Sequence, residues 1–188
     1  PDAACALSEV VSGLASPWGL AFVPDTTKVL VTELPGTLQL VDREAGTATE
    51  LSGTPRVLFE GQGGLLDVAV HPEFPAEPWV YLTYAGLDDQ GRSATHLGRG
   101  RLDPDAPAFE DFERLHVARP FLERSAHYGS RVAFGPDGMV YFTSGDRQYK
   151  NFGPDHVSQD LTNELGAVLR LEPDGSIPDD NPFVEDPD

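Results

Sequence analysis

The sequence predicts an all-β fold, and the main observation behind this prediction is a pattern that occurs three times. Each copy is a short apolar strand, a turn in which a proline precedes an acidic residue, and a second strand that ends near a threonine. The turns are Pro24-Asp25, Pro72-Glu73 and Pro136-Asp137. β-Branched and aromatic residues are enriched in the apolar runs, and no segment shows helical periodicity over more than about two turns. Both observations favour strands over helices.

Each copy of the pattern continues into further strands. A third strand is predicted at Thr37–Asp42, 97–103 and 166–172, and a fourth strand at 56–60 and 115–122. A repeat of roughly 40 to 50 residues with four antiparallel strands is typical of a β-propeller blade. The predicted blades cover about 18–60, 65–122 and 129–175, and residues 8–13 are predicted to form the outer strand of the closing blade.

Three blades cannot close a ring, because propellers need about four to eight. The third predicted blade also lacks a fourth strand. We therefore expect residues 1–188 to form a single partial β-propeller domain of a longer protein. The alternative is a small open array of sheets, which would leave a long unpaired strand edge.

The composition argues against several classes of function. The formal net charge is −18 at pH 7, whereas nucleic-acid binding needs clustered lysine and arginine to contact phosphates. No apolar run reaches the length that a membrane-spanning helix requires. No Gly-x-Ser-x-Gly motif is present, so a serine hydrolase of that type is unsupported.

Candidate site residues lie in loops that an up-and-down blade places on one rim. His127 and Gln62 hold nearly equivalent places in adjacent repeats, nine residues before Pro136 and ten before Pro72. Asp146 follows the second strand of the third repeat, so its side chain can meet that of His127. A histidine paired with an aspartate is a candidate general base, because the carboxylate fixes the tautomer and stabilises the imidazolium. The simpler alternatives are a solvated loop histidine, a glutamine bonded to backbone in a glycine-rich turn, and an ordinary turn aspartate.

Several short motifs occur in one order along nearly the whole chain. They are Trp18-Gly19-Leu20-Ala21-Phe22, Val31-Thr32-Glu33, Gly61-Gln62-Gly63-Gly64, His127-Tyr128-Gly129-Ser130-Arg131, Gly145-Asp146-Arg147 and the stretch from 159 to 181. Each motif is weak by itself, but the ordered set is specific. Together they resemble the glucose/sorbosone dehydrogenase family, especially its aldose sugar dehydrogenases that use pyrroloquinoline quinone (PQQ).

The resemblance implies a six-bladed β-propeller with PQQ at the mouth of its channel and calcium as a second cofactor. His127 matches the family's catalytic base, which takes the proton from the anomeric hydroxyl of an aldose while hydride passes to the quinone. Asp146 matches the carboxylate that orients this histidine, and Gln62 matches a residue that hydrogen-bonds PQQ. The cofactor performs the redox chemistry and the protein positions it. The expected product is a lactone, the electrons go to an external acceptor, and the expected location is periplasmic or extracellular.

The same resemblance implies that the isolated chain has little activity. The family's downstream His-Arg-Asn-Pro-Gln-Gly motif does not occur in the 188 residues, and neither does the half that supplies the calcium ligands, so metal ligands stay unassigned. Two alternatives remain open at this point. One is a non-catalytic extracellular propeller that binds a partner. The other is a calcium-dependent, lactonase-like hydrolase to which Glu33 and Asp146 could contribute ligands.

Overall fold

The computed structural model describes residues 6–149 and 156–184, which form eleven strands and one short 3-10 turn at Val157–Gln159. The first sheet contains β1 (Pro17–Phe22), β2 (Lys28–Glu33), β3 (Thr37–Asp42) and β4 (Thr47–Leu51). The second sheet contains β5 (Leu65–Val70), β6 (Trp79–Leu87), β7 (Ser93–Asp103) and β8 (Ala108–Leu122). The third sheet contains β9 (Gly129–Phe134), β10 (Val140–Ser144) and β11 (Ala167–Leu171). The prediction of an all-β fold is confirmed.

Each sheet is an antiparallel meander in which sequence neighbours are hydrogen-bonded neighbours. The first strands of the three sheets lie side by side, because β1 contacts β5 and β5 contacts β9. The second sheet is therefore covered on both faces. This explains why β6 is buried almost without interruption rather than alternating between buried and exposed residues. Leu82 of β6 packs towards the first sheet, and Tyr81 packs in the cluster shared with the third sheet.

A threonine near the end of the second strand links consecutive sheets. Thr32 accepts a hydrogen bond from Gly19 N at 2.8 Å in its own sheet and donates to Leu66 O in the second sheet. Thr83 repeats this arrangement, since it accepts from Asp67 N at 3.0 Å and donates to Ser130 O of the third sheet at 2.6 Å. In the first two copies of the sequence pattern, the threonine near the end of the second strand is thus a structural bond between neighbouring sheets, whereas Thr143 of the third copy accepts from Arg131 N of its own sheet at 3.0 Å.

The fourth strand of the first sheet was predicted at 56–60, and this prediction is wrong. The strand is Thr47–Leu51 instead. Four of its five residues are exposed, so its sequence lacks the apolar run that the prediction relied on. The apolar residues after it run along the second sheet, where Leu58 N donates to Ala85 O at 2.8 Å.

The other outer strands agree better with the sequence analysis. The second sheet has its fourth strand at Ala108–Leu122, longer than the predicted 115–122, and the third sheet has none within the described residues. Residues 8–13 form no strand here, and Val11 instead packs against the outer cluster of the first sheet. Their pairing with a closing blade stays a prediction. None of the helices in the described ranges is long or apolar enough to cross a membrane.

Candidate active site

Three loops meet at one end of the second and third sheets. They comprise residues 61–64, which precede β5, residues 124–128, which precede β9, and residues 145–148, which follow β10. Backbone bonds join the first two loops, since Gln62 N donates to Ser125 O at 2.7 Å. The rim that the sequence analysis assigned to these segments therefore brings them into contact, whereas residues 150–155 of the last rim segment lie outside the described residues.

His127 and Asp146 form a hydrogen-bonded pair on this rim. Nδ1 of His127 lies 2.7 Å from Oδ1 of Asp146, and the two side chains are 46% and 33% exposed. Because an ionised carboxylate can only accept, a neutral His127 carries its proton on Nδ1 and a lone pair on Nε2. No described residue hydrogen-bonds Nε2. The pair therefore presents an unoccupied basic nitrogen beside solvent.

Gln62 contacts the same histidine through its backbone. The N–H of His127 donates to Oε1 of Gln62 at 2.8 Å. This bond fixes the orientation of the side-chain amide and leaves its Nε2 without an acceptor among the residues that the structure describes. The three predicted site residues thus lie together.

Asp146 is held in its ionised form. Burial by itself would raise the pKa of this carboxyl group, but the hydrogen bonds from His127 and from Gln148 N, the latter at 2.9 Å, outweigh that effect and lower the pKa below its ordinary value. The cause is that both donors stabilise the charged form. A carboxylate that stays ionised can orient the imidazole and stabilise its protonated form.

The backbone at the site adopts unusual conformations. His127 and Arg147 have φ values of 50° and 52°, in the left-handed region that side chains other than glycine rarely adopt. Gly145 has no room for a side chain, since a Cβ there would lie 2.0 Å from His127 O. Such strain persists only where the surroundings enforce it, and it clusters at functional sites. The loops therefore impose the position of His127 instead of merely permitting it.

Arg147 is a component of the site that the sequence analysis left without a role. The residue is 1% exposed and its guanidinium stacks 3.8 Å from the ring centroid of Tyr128. Nε donates to Ala126 O at 3.0 Å and Nη1 donates to Ser93 O at 2.9 Å. This pocket is created only when the loop after β10 packs against the loop before β9 and the start of β7, so the Gly-Asp-Arg motif carried no signal of it beyond resembling a turn.

The acidic residues give no metal site within the described chain. Among residues 6–149 and 156–184, no group of three or more histidine, cysteine, aspartate or glutamate side chains could hold a metal ion. Glu33 is buried and both of its carboxylate oxygens accept protein hydrogen bonds, from Ala15 N and from Gln39 Nε2. The described residues therefore supply no set of ligands for calcium, either as a cofactor or as the metal of a hydrolase.

A second polar contact lies where the first strands of the second and third sheets meet. Arg131 Nη1 lies 3.1 Å from Oδ1 of the buried Asp67, and Oδ2 of the same carboxylate accepts from Val132 N at 2.9 Å. The Arg131 side chain is 75% exposed and borders a cavity of about 260 Å³ that also touches Trp18. This arginine is a solvent-facing cation, unlike the buried Arg147.

Known proteins are similar to this chain over nearly its whole length. The family model described as glucose/sorbosone dehydrogenase matches residues 14–188. The chain belongs to this family. The aldose sugar dehydrogenase YliI of Escherichia coli strain K12 is 36% identical over 173 residues, which are 92% of this chain and 45% of that protein.

Solved structures of sugar dehydrogenases are also similar to this chain, and one of them contains PQQ. A glucose dehydrogenase crystal structure is 34% identical, with a TM-score of 0.89 over 96% of this chain and 51% of that one. The PQQ-bound aldose sugar dehydrogenase of Streptomyces coelicolor is 32% identical, with a TM-score of 0.79 over 95% of this chain and 51% of that one. The chain thus spans about half the length of the relatives it matches.

Proposed function

We propose that the whole protein is a PQQ-dependent dehydrogenase that oxidises aldose sugars at the anomeric carbon to lactones. The observation that carries this proposal is the contact of His127 with both Asp146 and Gln62 on one rim, in a chain similar to a PQQ-bound aldose sugar dehydrogenase. We also propose that the whole protein is a six-bladed propeller, of which this chain supplies three blades. That architecture places the rim loops around a central channel.

The described residues fit one side of PQQ, which is a planar quinone with three carboxylates. Such a ligand needs hydrogen-bond donors for its oxygens and a base at the reacting carbon of the sugar. Gln62 offers its free Nε2 donor and His127 offers its free Nε2 lone pair, and both residues are exposed. Arg147 is not available as a cationic partner, because its donors are engaged by protein oxygens. The remaining cationic contacts are expected from the other half of the whole protein.

His127 is proposed as the general base that accepts the proton of the anomeric hydroxyl at Nε2. The imidazolium formed in this step is stabilised by the adjacent Asp146 carboxylate, which also keeps the acceptor nitrogen in the correct tautomer. Gln62 holds the backbone of His127 and donates to the cofactor. PQQ, when bound, supplies the acceptor for the hydride and its two electrons.

Other features of the proposal rest on the family alone. Calcium is proposed as a cofactor whose ligands lie outside the described residues, and no step above passes through it. An external electron acceptor and a periplasmic or extracellular location are proposed on the same ground. The isolated 188-residue chain is expected to give no dye-linked sugar oxidation, because half of the cofactor site is supplied elsewhere.

The proposal is tested by titrating the whole protein with PQQ in the presence of calcium and then following dye reduction on addition of aldoses. We expect saturable PQQ binding and sugar-dependent dye reduction that requires the cofactor. Absence of both PQQ binding and dye reduction with every aldose would replace this proposal by a non-catalytic binding module. Release of acid from lactones without PQQ would instead indicate a hydrolase.

A further inference from the structure

The guanidinium of Arg147 is bonded in equal parts to the loop that carries His127 and to Ser93, the first residue of β7. Besides Ala126 O, it donates through Nη2 to Arg124 O and, at 2.9 Å, to the hydroxyl of Ser93. With the bond from Nη1 to Ser93 O, four of its donor contacts reach three residues. Arg147 therefore ties the loop after β10 to the loop before β9 and to the first residue of β7.

No carboxylate of the described residues balances this buried cation. Within residues 6–149 and 156–184, no acidic side chain forms an ion pair with Arg147. Burial of a guanidinium without a counter-ion is costly. The partners that the fold provides instead are backbone carbonyls at fixed positions, which suit the rigid, planar fork of an arginine and not the single point charge of a lysine.

The carbonyls that Arg147 binds bracket the site. Arg124 and Ala126 lie on either side of Ser125, whose carbonyl accepts from Gln62 N at 2.7 Å. His127 follows directly, and the ring of Tyr128 stacks on the guanidinium. The backbone N–H of Arg147 itself donates to His127 O at 3.2 Å. His127 is thus held on both sides by contacts to one residue, in a left-handed conformation that it would not adopt freely.

We infer that Arg147 is a positioning residue that holds the His127 ring against Asp146 and so keeps its Nε2 free of the proton. The inference deepens the proposed function, on which its catalytic meaning rests. Without the guanidinium, the loop at 124–128 loses its anchors and the ring can turn away from the carboxylate. The proton of the neutral imidazole is then shared between Nδ1 and Nε2. The fraction of His127 that can accept a proton at Nε2 therefore falls.

The test compares two arginine-to-lysine variants of the whole protein by histidine ¹⁵N NMR, with the His127 signals assigned from His127→Gln. We expect one tautomer, protonated on Nδ1, in the unaltered protein and a mixture of both in Arg147→Lys. The matched control is Arg99→Lys. Arg99 also stacks on an aromatic ring, that of Trp79 at 4.1 Å, and donates to Pro173 O at 2.8 Å, but it has no contact with the rim loops. This control should lower the melting temperature without changing the tautomer of His127.

Steady-state kinetics supply the second readout. In Arg147→Lys we expect kcat for aldose oxidation to fall by about 10- to 100-fold, since a misplaced catalytic group costs about that much. The KM for the sugar should change by less than about threefold, because the sugar contacts themselves are kept. If the unaltered protein oxidises no sugar, the proposed function fails, yet the NMR comparison still decides the role of Arg147.

The inference is overturned if folded Arg147→Lys keeps the single Nδ1 tautomer, or if Arg99→Lys changes the tautomer equally. Should Arg147→Lys not fold, Ser93→Ala takes its place. This variant keeps the guanidinium and removes the hydroxyl that accepts from Nη2, which also donates to Arg124 O at 2.9 Å and lies 2.8 Å from the Tyr128 hydroxyl. A smaller shift towards the second tautomer is expected, and an unchanged tautomer in folded Ser93→Ala would contradict the inference.

Discussion

The two ends of the sheets are built in different ways. At one end, the Pro-acidic turns close on themselves: in the third sheet Gly138 N donates to Gly135 O at 3.0 Å and Gly135 N donates to Met139 O at 2.9 Å. At the other end, the rim loops bond to each other across two sheets, as when His127 N donates to Gln62 Oε1. The backbone of such a turn is closed by its own residues, although Asp137 also pairs with Arg170 of β11 at 3.1 Å, whereas a rim loop takes its shape from its neighbours.

This difference indicates where a site can be built. A turn whose backbone bonds are its own depends less on other segments, so a substitution there is expected to have local consequences. The rim loops hold strained conformations because several segments enforce them together, which is how reactive groups from different parts of a chain are brought within bonding distance. A change on the rim should therefore affect catalysis more than a change in a turn.

The largest contrast is expected between two histidines. His127→Ala in the whole protein should lower kcat for sugar oxidation by about 10³-fold, within the range typical of a lost general base. His71→Ala, in a Pro-acidic turn, should leave kcat unchanged, because His71 packs its ring against Phe134 at 5.1 Å on the opposite face. Dye-linked assays at saturating PQQ measure both values. Equal kcat values for His127→Ala and His71→Ala would contradict the assignment of the active site to the rim loops.

A smaller loss is expected when the partner of His127 is changed without changing its size. Asp146→Asn should lower kcat by about 10²-fold, because the amide cannot stabilise the imidazolium and can donate to Nδ1, which favours the wrong tautomer. PQQ affinity should be unaffected, since Asp146 bonds to His127 and Gln148 and not to Gln62. Parallel PQQ titrations and kinetics separate the two effects. A variant that loses PQQ binding but keeps kcat would assign Asp146 to the cofactor site instead.

A pair of glycines tests the sterics of the two ends. Gly145→Ala places a methyl group against His127 O and should lower kcat by about 10-fold or more, because the loop must shift. Gly138→Ala, in the turn of the third sheet, meets no atom within 4 Å and carries only the cost of its positive φ of 80°, about 1 kcal/mol of unfolding free energy. Kinetics and urea denaturation of both variants check this. Full activity in folded Gly145→Ala would show that the loop position is not critical.

The last prediction concerns stability alone and a buried base without hydrogen-bond partners among the described residues. His96 is 2% exposed, and no described residue hydrogen-bonds either ring nitrogen. Burial lowers its pKa from 6.5 to about 4, and the charges of Arg114 and Arg119 act in the same direction. Its ring instead packs 5.0 Å from that of Tyr84 and 5.7 Å from that of Phe121. The two buried bases thus differ. Arg147 donates to backbone carbonyls, whereas burial favours the neutral form of His96.

The sign of the pH effect follows from the lowered pKa. The unfolded chain binds the proton near pH 6.5 and the folded chain only near pH 4, so the protein should lose about 3 kcal/mol of unfolding free energy as the pH falls through that interval. His96→Phe keeps an aromatic ring and cannot be protonated, so its stability should fall less over the same range. Urea midpoints between pH 7.5 and 4 compare the two proteins. Identical slopes would exclude His96 as the source of acid sensitivity.

The features that could be predicted from the sequence are those with local causes. The Pro-acidic turns and β3 at Thr37–Asp42 were recognisable because apolar runs and turn residues mark them directly. The fourth strand of the first sheet was misplaced because Thr47–Leu51 is polar, and it is a strand only because β3 offers it hydrogen-bonding partners. An outermost strand with few buried residues leaves almost no apolar pattern to read.

The same reasoning applies to the site. The meeting of His127 with Asp146 could be predicted because one hairpin separates them, and hairpins return the chain to its starting end. Arg147 could not be recognised, since an arginine after an aspartate usually faces solvent and its acceptors come from β7 of the preceding repeat and from the loop before β9. A buried cation held by carbonyls depends on tertiary contacts that no local pattern encodes.

The most direct test of the account is a single turnover in the absence of any electron acceptor. The PQQ-loaded whole protein is mixed anaerobically with an aldose, and the lactone is quantified against bound cofactor. We predict one equivalent of lactone per bound PQQ, and none on the same time scale from PQQ-loaded His127→Ala. Lactone formed equally by both proteins would contradict the role of His127, and no lactone from any aldose despite bound PQQ would contradict sugar oxidation itself.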